Sequence, residues 1–357
     1  MVSRIVEVAG RPALITGSLA IAATVASAAL RVAGAGQIVI FVATALALAS
    51  LAAVVGEATD ELGARLNPGA TGVLQSALGN LPELFICIFA LRAGLVVVVH
   101  TALIGSILAN SLLVLGLAFV VGGLRHGRQR FGADTTRMTA ILLVLSVASL
   151  AIPTLATAPG APDFGHARDL SVITSLVLLV VFVASVPASV RGTFGPSHEE
   201  RLATPSWALP ASLAVLAIAG LLAAVISDWF VEALRPAMAG LGISEVFVGL
   251  VVVAIAGNAV ENVVGIQLAA RNRTDYALSV ILQSPVQIAL VLAPVLVLGA
   301  PLVGATFTLV LSPILIAVLV LAALVTTVVV FDAESNWLEG VALIVLYCLC
   351  ATAFYWG

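Results

Sequence analysis

The sequence predicts an all-α polytopic membrane protein, and three observations carry this prediction. Of the 357 residues, 62% are hydrophobic and 9% are charged, and no soluble domain can bury that much apolar surface. The apolar residues form eleven segments that could each cross about 30 Å of hydrocarbon as a helix. A motif also recurs in the two halves of the chain. We therefore expect 11 transmembrane helices, one extra N-terminal helix plus two inverted five-helix repeats.

The eleven segments are separated by stretches rich in Gly, Pro and polar residues, such as NPGA at 67–70 and APGAPDFGHARD at 158–169. The first apolar segment is longer than that of a typical signal peptide, which favours a membrane helix over a cleaved leader. The expected spans are 12–31, 36–62, 69–92, 95–123, 137–155, 169–190, 206–233, 243–270, 274–299, 304–331 and 335–356.

The distribution of arginine predicts the orientation. All 15 basic residues are arginine, and eleven of them fall on one side of the membrane if the N-terminus is cytoplasmic. An odd number of spans then places the C-terminus outside. Because the composition is dominated by Ala, Val and Leu and lacks Lys, as in GC-rich bacteria, we expect a multi-pass protein of a bacterial inner (cytoplasmic) membrane.

The internal repeat is visible in two stretches, GNLPELFICIFALRAG at 79–94 and GNAVENVVGIQLAARN at 257–272. Both read Gly-Asn-x-x-Glu, and they lie 178 positions apart. Ser106 recurs at the same displacement as Ser284, which indicates a duplication. The repeated units supply Gly79, Asn80, Glu83, Gly257, Asn258 and Glu261.

The spacing of the repeat also predicts its orientation. The two motifs lie in the third and eighth expected spans, and a separation of five helices inverts the second copy. Inverted repeats commonly place an ion site at the bilayer midplane, where the halves meet. The expected organisation is an N-terminal transmembrane helix at 1–33, a first repeat at 34–191, a cytoplasmic connecting loop at 192–205 and a second repeat at 206–357.

The repeated glutamates predict a cation and proton site. A carboxylate at mid-bilayer is unfavourable by at least a few kcal/mol and normally marks an ion or proton pathway. Asn80 and Asn258 lie one helical turn before Glu83 and Glu261, and Pro82 lacks the N–H that would bond the Leu78 carbonyl. Carboxylate, amide and carbonyl oxygens are the ligands that Ca²⁺ prefers.

The roles of the predicted site residues follow from this chemistry. We expect the two glutamates to bind the metal ion and the flanking Gly79 and Gly257 to let helices approach closely. Further polar residues occur at helical spacing, and the alternative is that they only join helices. This secondary polar lining comprises Ser106, Asn110, Ser284, Gln287, Gln283 and Asn262.

Other classes of function lack the residues they require. Cys87, Cys348 and Cys350 have no partner histidines, so neither a zinc site nor a disulfide framework is expected. No nucleophile–base pair indicates an enzyme, and no basic run indicates nucleic acid. We expect no cofactor, Ca²⁺ and H⁺ as substrates, and the lipid bilayer as partner. A homo-oligomer remains open.

With these residues in hand, the chain resembles the Ca²⁺/H⁺ antiporter family, CAX type, of the Ca²⁺/cation antiporter superfamily. Stretches 56–94, 101–123, 245–298 and 332–357 carry the resemblance. It implies eleven helices and ion-binding glutamates at Glu83 and Glu261.

The resemblance also puts Glu57, in GEATDEL, on a motif position near the cytoplasmic end of the second helix. Asp60 and Glu61 share its helical face, and all three are candidates for cytoplasmic cation access or gating. The alternative is a solvated helix end.

The chain departs from the family pattern at two places. Family members usually carry His where this chain has Asn262, and Gly-Ser-Ser where it reads Gln283-Ser284-Pro285. Without the imidazole, a group that titrates near neutral pH is missing. Proton coupling and Ca²⁺ preference therefore stay open at this point.

The function expected from the sequence is proton-coupled Ca²⁺ export by alternating access at a two-carboxylate site. Two facing carboxylates repel each other and are poorly solvated, which favours proton uptake when the cation leaves. A Na⁺/H⁺ or K⁺/H⁺ antiporter is the alternative within transporters, and Na⁺ is an alternative counter-ion. A cation channel is the alternative from another class, which the inverted repeat disfavours.

Overall fold

The computed structural model describes residues 2–65, 78–161, 163–190 and 206–356, without the side chains of 2–12, 134–135, 186–190 and 260. The described chain is mostly helical. Its helices are α1 Val2–Val32, α2 Gln37–Gly63, α3 Leu81–Arg92, α4 Val96–His126, α5 Ala133–Ala156, α6 Ala167–Val190, α7 Leu209–Leu241, α8 Glu245–Gly257, α9 Ala259–Ala270, α10 Thr274–Val303, α11 Pro313–Val330 and α12 Trp337–Ala353.

The prediction of a helical, multi-pass membrane protein is confirmed. Eight of the described helices are long and apolar enough to cross a membrane, and the bent pair α8–α9 makes nine. The helix α12 is a shorter apolar helix of 17 residues. The start of the third expected span, up to residue 77, and the connecting loop at 192–205 lie outside the described residues.

Two expected spans are wrong as continuous helices. The span 243–270 bends by 63° between α8 and α9, because Asn258 (φ −108°, ψ 23°) leaves the helical region. The span 304–331 is helical only from Pro313. There α10 ends at Gly304, whose φ of 72° is left-handed, and residues 305–312 form no helix.

The segment 305–312 buries Phe307, Leu309 and Leu311 against the bundle, and other helices bond part of its backbone. Ser171 Oγ of α6 accepts from the Leu309 N–H at 2.9 Å, and Thr154 Oγ1 of α5 accepts from the Leu311 N–H at 2.8 Å. His100 Nε2 of α4 bonds the Thr308 carbonyl at 2.7 Å. Non-helical backbone is tolerated at membrane depth only when its polar groups find such partners.

One end of the bundle is held by a short antiparallel ribbon, β1 (Gln129–Arg130) and β2 (Glu334–Ser335). Glu334 pairs with Arg128 and Arg130, each at 3.0 Å. The α9–α10 turn joins this ribbon through Asn272, which accepts from Gln129 Nε2 at 2.8 Å. We call this the arginine-rich end; it is the side that the arginine count predicts to be cytoplasmic.

Close crossings between helices bring the two halves together. A Cβ at Gly105 of α4 would lie 2.2 Å from the Leu250 carbonyl oxygen of α8, so only glycine fits there. The reciprocal contact lies between Gly249 and Thr101. Because Ser106 follows Gly105, this crossing fixes Ser106 beside the end of α8.

Candidate functional site: a buried carboxylate between two broken helices

The site is built on two interrupted helices. Asn80 precedes α3 with φ −90° and ψ 14°, and Asn258 precedes α9 with φ −108° and ψ 23°. Glu83 and Glu261 each lie three residues further on, in the first turn of the new helix. The free N–H groups and the helix dipole at such a terminus favour negative charge.

The proline in the first half does not explain the break. Pro82 lies at the start of α3, where a backbone N–H has no intrahelical partner in any case. The chain also breaks at Asn258, although Val260 stands where the first half has its proline. The two halves therefore share the interruption without sharing the residue that the sequence suggested as its cause.

Glu83 is fully buried and receives hydrogen bonds from both halves of the chain. Ser106 Oγ donates to Glu83 Oε1 at 2.5 Å, and Asn258 Nδ2 lies 3.4 Å from Oε2. Asn258 Nδ2 also donates to Ser106 Oγ at 2.9 Å. A carboxylate removed from water needs such donors, because an unpaired one is very unfavourable.

Two further side chains extend this polar network. Asn110 Nδ2 donates to the Ser106 carbonyl at 3.0 Å and to Ser284 Oγ at 3.2 Å. Ser284 Oγ lies 3.4 Å from Asn258 Oδ1. All of these residues are buried. The repeated serines thus reach the same amide group from opposite sides.

Glycine at 257 allows the two broken helices to touch. A Cβ placed on Gly257 would lie 3.2 Å from Glu83 Cβ and 3.4 Å from its Cγ. This is tighter than ordinary van der Waals contact. The glycine therefore sets the closeness of α8 to the carboxylate of the other half.

Glu261 has different surroundings. It is partly exposed, and no side chain in the described part of the chain is hydrogen-bonded to its carboxylate. Its charge interacts with those of Glu83 and Asp60. Asp60 is exposed. Glu261 therefore interacts with one buried carboxylate, that of Glu83, and with one exposed carboxylate, that of Asp60.

Three amide oxygens at the site have no hydrogen-bond partner. They are buried, and they belong to Asn80, Asn110 and Asn262. An orphaned buried acceptor in a native structure normally indicates a missing ligand or water. Within the described ranges, no group of three or more His, Cys, Asp or Glu side chains could hold a metal ion. A cation here would thus need the amide and hydroxyl oxygens as well.

Other predicted residues lie away from this network. Gln283 is exposed and Gln287 partly exposed, and neither is hydrogen-bonded to a described side chain. Glu57 accepts from Thr16 Oγ1 of α1 at 2.8 Å. Glu61 accepts from the N–H groups of Ser206 at 2.9 Å and Trp207 at 3.1 Å.

The partners of the α2 carboxylates were not anticipated from the sequence. Thr16 lies 41 positions from Glu57, and Ser206 lies 145 positions from Glu61. Neither residue belongs to a motif, so no local signal could have identified it.

The chain is similar to known transport proteins over most of its length. The family model for sodium/calcium exchanger protein matches residues 36–190 and 211–356. A Ca²⁺/H⁺ antiporter of Synechocystis is 32% identical over 90% of this chain and 92% of that protein. The Ca²⁺/H⁺ antiporter ChaA of Bacillus subtilis is 32% identical over 89% and 92%, respectively.

Solved structures agree with these matches. The structure of native YfkE superposes with a TM-score of 0.83 at 30% identity, covering 95% of this chain and 99% of that one. The crystal structure of the H⁺/Ca²⁺ exchanger CAX has a TM-score of 0.78 at 16% identity, which concerns the fold alone. The family resemblance inferred from the two glutamate motifs is confirmed: the chain belongs to the sodium/calcium exchanger protein family, together with the Ca²⁺/H⁺ antiporters of Synechocystis and Bacillus subtilis.

Proposed function

We propose that this protein is a proton-coupled Ca²⁺ antiporter, with Glu83 and Glu261 as the residues that bind cation and protons in turn. The observation that carries the proposal is the burial of Glu83 between the two halves, held by Ser106 of one and Asn258 of the other. The relatives of Synechocystis and Bacillus subtilis, which match about nine-tenths of the chain, are named Ca²⁺/H⁺ antiporters, and this supports Ca²⁺ and H⁺ as the exchanged ions.

The oxygen atoms around Glu83 and Glu261 suit a divalent cation. Ca²⁺ takes six to eight oxygen ligands in flexible geometry. Two carboxylates and the unpartnered oxygens of Asn80, Asn110 and Asn262 approach that number, and the hydroxyls of Ser106 and Ser284 could add to it. The absence of sulfur and imidazole from this set disfavours the softer transition metals.

The hydrogen bonds to Glu83 suit the cation-free form. Ser106 and Asn258 direct donor groups toward its carboxylate, so these donors must turn away before a cation can bind the same oxygens. Without the cation, the burial of Glu83 and the repulsion between the two carboxylates favour the binding of protons. Competition for one site that opens alternately to the two sides is sufficient for antiport, and an inward proton gradient then drives Ca²⁺ export.

We extend the proposal to the inverted repeat and the eleven-helix count. The family model matches two stretches of similar length. The helix breaks at Asn80 and Asn258 are 178 residues apart, and π-helical turns recur at Ala109–Val114 in α4 and Ile288–Leu292 in α10. This supports the expected domain bounds, with the arginine-rich end and the N-terminus in the cytoplasm of a bacterium.

The acidic residues of α2 are proposed to guide cations toward the site. Asp60 is exposed and interacts with Glu261, while Glu57 is partly buried and bonded to Thr16. A graded series of carboxylates raises the local cation concentration near an opening. Glu61 is bound by the segment that follows the connecting loop, which suits a gating contact more than cation binding.

The test is coupled transport in proteoliposomes with an imposed pH gradient, following Ca²⁺ with Na⁺ and K⁺ as controls. Gradient-driven Ca²⁺ uptake is expected, and Glu83→Gln should abolish it. Arg125→Gln, an exposed change at the arginine-rich end, is the matched control and should transport normally.

Other outcomes would change the assignment in distinct ways. Gradient-driven movement of Na⁺ or K⁺ without Ca²⁺ would support the same site with a different transported ion. The departure from the family pattern at Asn262, where relatives usually carry His, is compatible with that outcome. Ion flux that continues past equilibrium with the proton gradient would indicate a channel. No coupled flux from a folded, sealed sample would overturn the exchanger proposal.

A further inference from the structure

A groove unrelated to the ion site opens on the outer surface of the bundle, between α5 and α11. It has a cavity volume of about 90 Å³. Its lining is almost entirely apolar, with one cationic residue at its rim: Arg137, Ala140, Ile141, Thr327, Val330 and Phe331.

The groove lies at the boundary of the apolar spans. Arg137 is the second residue of the span Thr136–Ala156, and Phe331 follows the last residue of the span Pro313–Val330. Ile141 and Phe331 are 51% and 60% exposed. Exposed apolar side chains on a spanning helix face lipid, so the groove opens toward acyl chains, with its rim at headgroup depth.

Arg137 is only partly used by the protein. Its Nε donates to the Phe331 carbonyl at 3.2 Å, near the C-terminus of α11, and its Cζ lies 5.0 Å from the Phe331 ring centre. The two terminal amino groups form no hydrogen bond or ion pair with any described residue. Glu334, the carboxylate of the ribbon, is already paired with Arg128 and Arg130.

The guanidinium group of Arg137 is thus held at headgroup depth, above the apolar groove, with its two terminal amino groups available to a ligand. A planar guanidinium binds phosphate well, often through two N–H groups. Exposed arginines of the α9–α10 turn at the same end, Arg271 and Arg273, add a positive field that attracts anionic lipids. We propose that the groove binds one anionic phospholipid, with its phosphate on Arg137 and the upper methylenes of an acyl chain between Ile141 and Phe331.

The test compares lipid binding to the purified full-length protein by native mass spectrometry and thermal unfolding. Phosphatidylglycerol is added to the delipidated protein in one series and phosphatidylcholine, with the same acyl chains, in the other. The wild type should retain phosphatidylglycerol preferentially and unfold at a higher temperature with it. In Arg137→Gln the affinity should fall about fivefold, the factor expected for one arginine at an anionic surface.

Two further variants separate the lipid site from general effects of charge and folding. Arg125→Gln removes an exposed arginine outside the groove and should keep the preference. Thr327→Phe fills the groove while keeping the charge of Arg137 and should lose the bound lipid. Equal retention of the two lipids by the wild type, or an unchanged preference in both Arg137→Gln and Thr327→Phe, would overturn the proposal. Both readouts are independent of transport activity.

Discussion

Glu83 and Glu261 occupy the same position in two copies of one sequence unit, but their surroundings differ. Glu83 is fully buried and accepts from Ser106 and Asn258, whereas Glu261 is partly exposed and interacts with the solvated Asp60. The serines differ in the same way: Ser106 bonds the carboxylate of its own half, while Ser284 bonds amides.

The difference shows that two copies of the same sequence unit can have different surroundings in one conformation of the protein. In the antiporter proposed above, alternating access exposes the site to one side of the membrane at a time. A symmetric arrangement would open to both sides or to neither. The unequal burial of the two glutamates is what a single access state should look like, and in this state Glu261 is nearer to solvent.

The substitutions with the largest expected effect remove the charge of one carboxylate and keep the shape of the side chain. We expect Glu83→Gln and Glu261→Gln each to lower gradient-driven Ca²⁺ uptake in proteoliposomes by at least about 100-fold, because the divalent cation loses one of its two charged ligands. Uptake near the wild-type level in either variant would show that transport does not require both carboxylates.

The pH dependence of cation binding tests whether both carboxylates hold protons. Raising the pH deprotonates the site, so Ca²⁺ affinity should rise, by up to about tenfold per pH unit for each proton displaced. Calorimetric titration at several pH values between about 5 and 8 gives the slope. An affinity that stays constant over this range would contradict competition between Ca²⁺ and protons.

Chemical labelling tests the unequal exposure directly. In a background where the three native cysteines are replaced, Glu261→Cys should react with a water-soluble thiol reagent at least about tenfold faster than Glu83→Cys, because a buried position reacts only through local opening. Equal labelling rates at the two positions would contradict the unequal exposure of the two glutamates.

The smallest expected effect concerns the asparagines of the two units. Asn258→Ala removes a donor to Glu83 and should lower the free energy of unfolding by about 1–3 kcal/mol. The matched variant, Asn80→Ala, removes a side-chain oxygen that has no partner and should change stability by less. Thermal unfolding of the two variants in the same detergent measures this difference. A larger loss of stability in Asn80→Ala than in Asn258→Ala would contradict the stabilising role given to Asn258.

The candidate site could be predicted from the sequence because a carboxylate in an apolar segment is conspicuous without any three-dimensional information. Glu83 was identified in this way and Asn258 from the repeated Gly-Asn-x-x-Glu unit, and the structure brings the two together. The helix break at Asn258 was not predicted, since hydropathy records polarity and not φ and ψ. For the same reason, the non-helical segment 305–312 was predicted as the start of a helix.

Contacts between distant residues were also beyond the sequence. The bond from Thr16 to Glu57 and those from Ser206 to Glu61 join positions with no shared pattern. They depend on how whole helices pack, which one sequence without relatives does not reveal.

The non-helical segment 305–312 has a consequence for the order in which the protein assembles. Its N–H groups at Leu309 and Leu311 donate to Ser171 and Thr154, respectively, which belong to helices made much earlier. During synthesis, the N-terminal half is available before these residues leave the ribosome. If the second half were separated from the first, these backbone groups would be unpaired inside the membrane. We therefore expect insertion of the second half to depend on the N-terminal half, which is synthesised first.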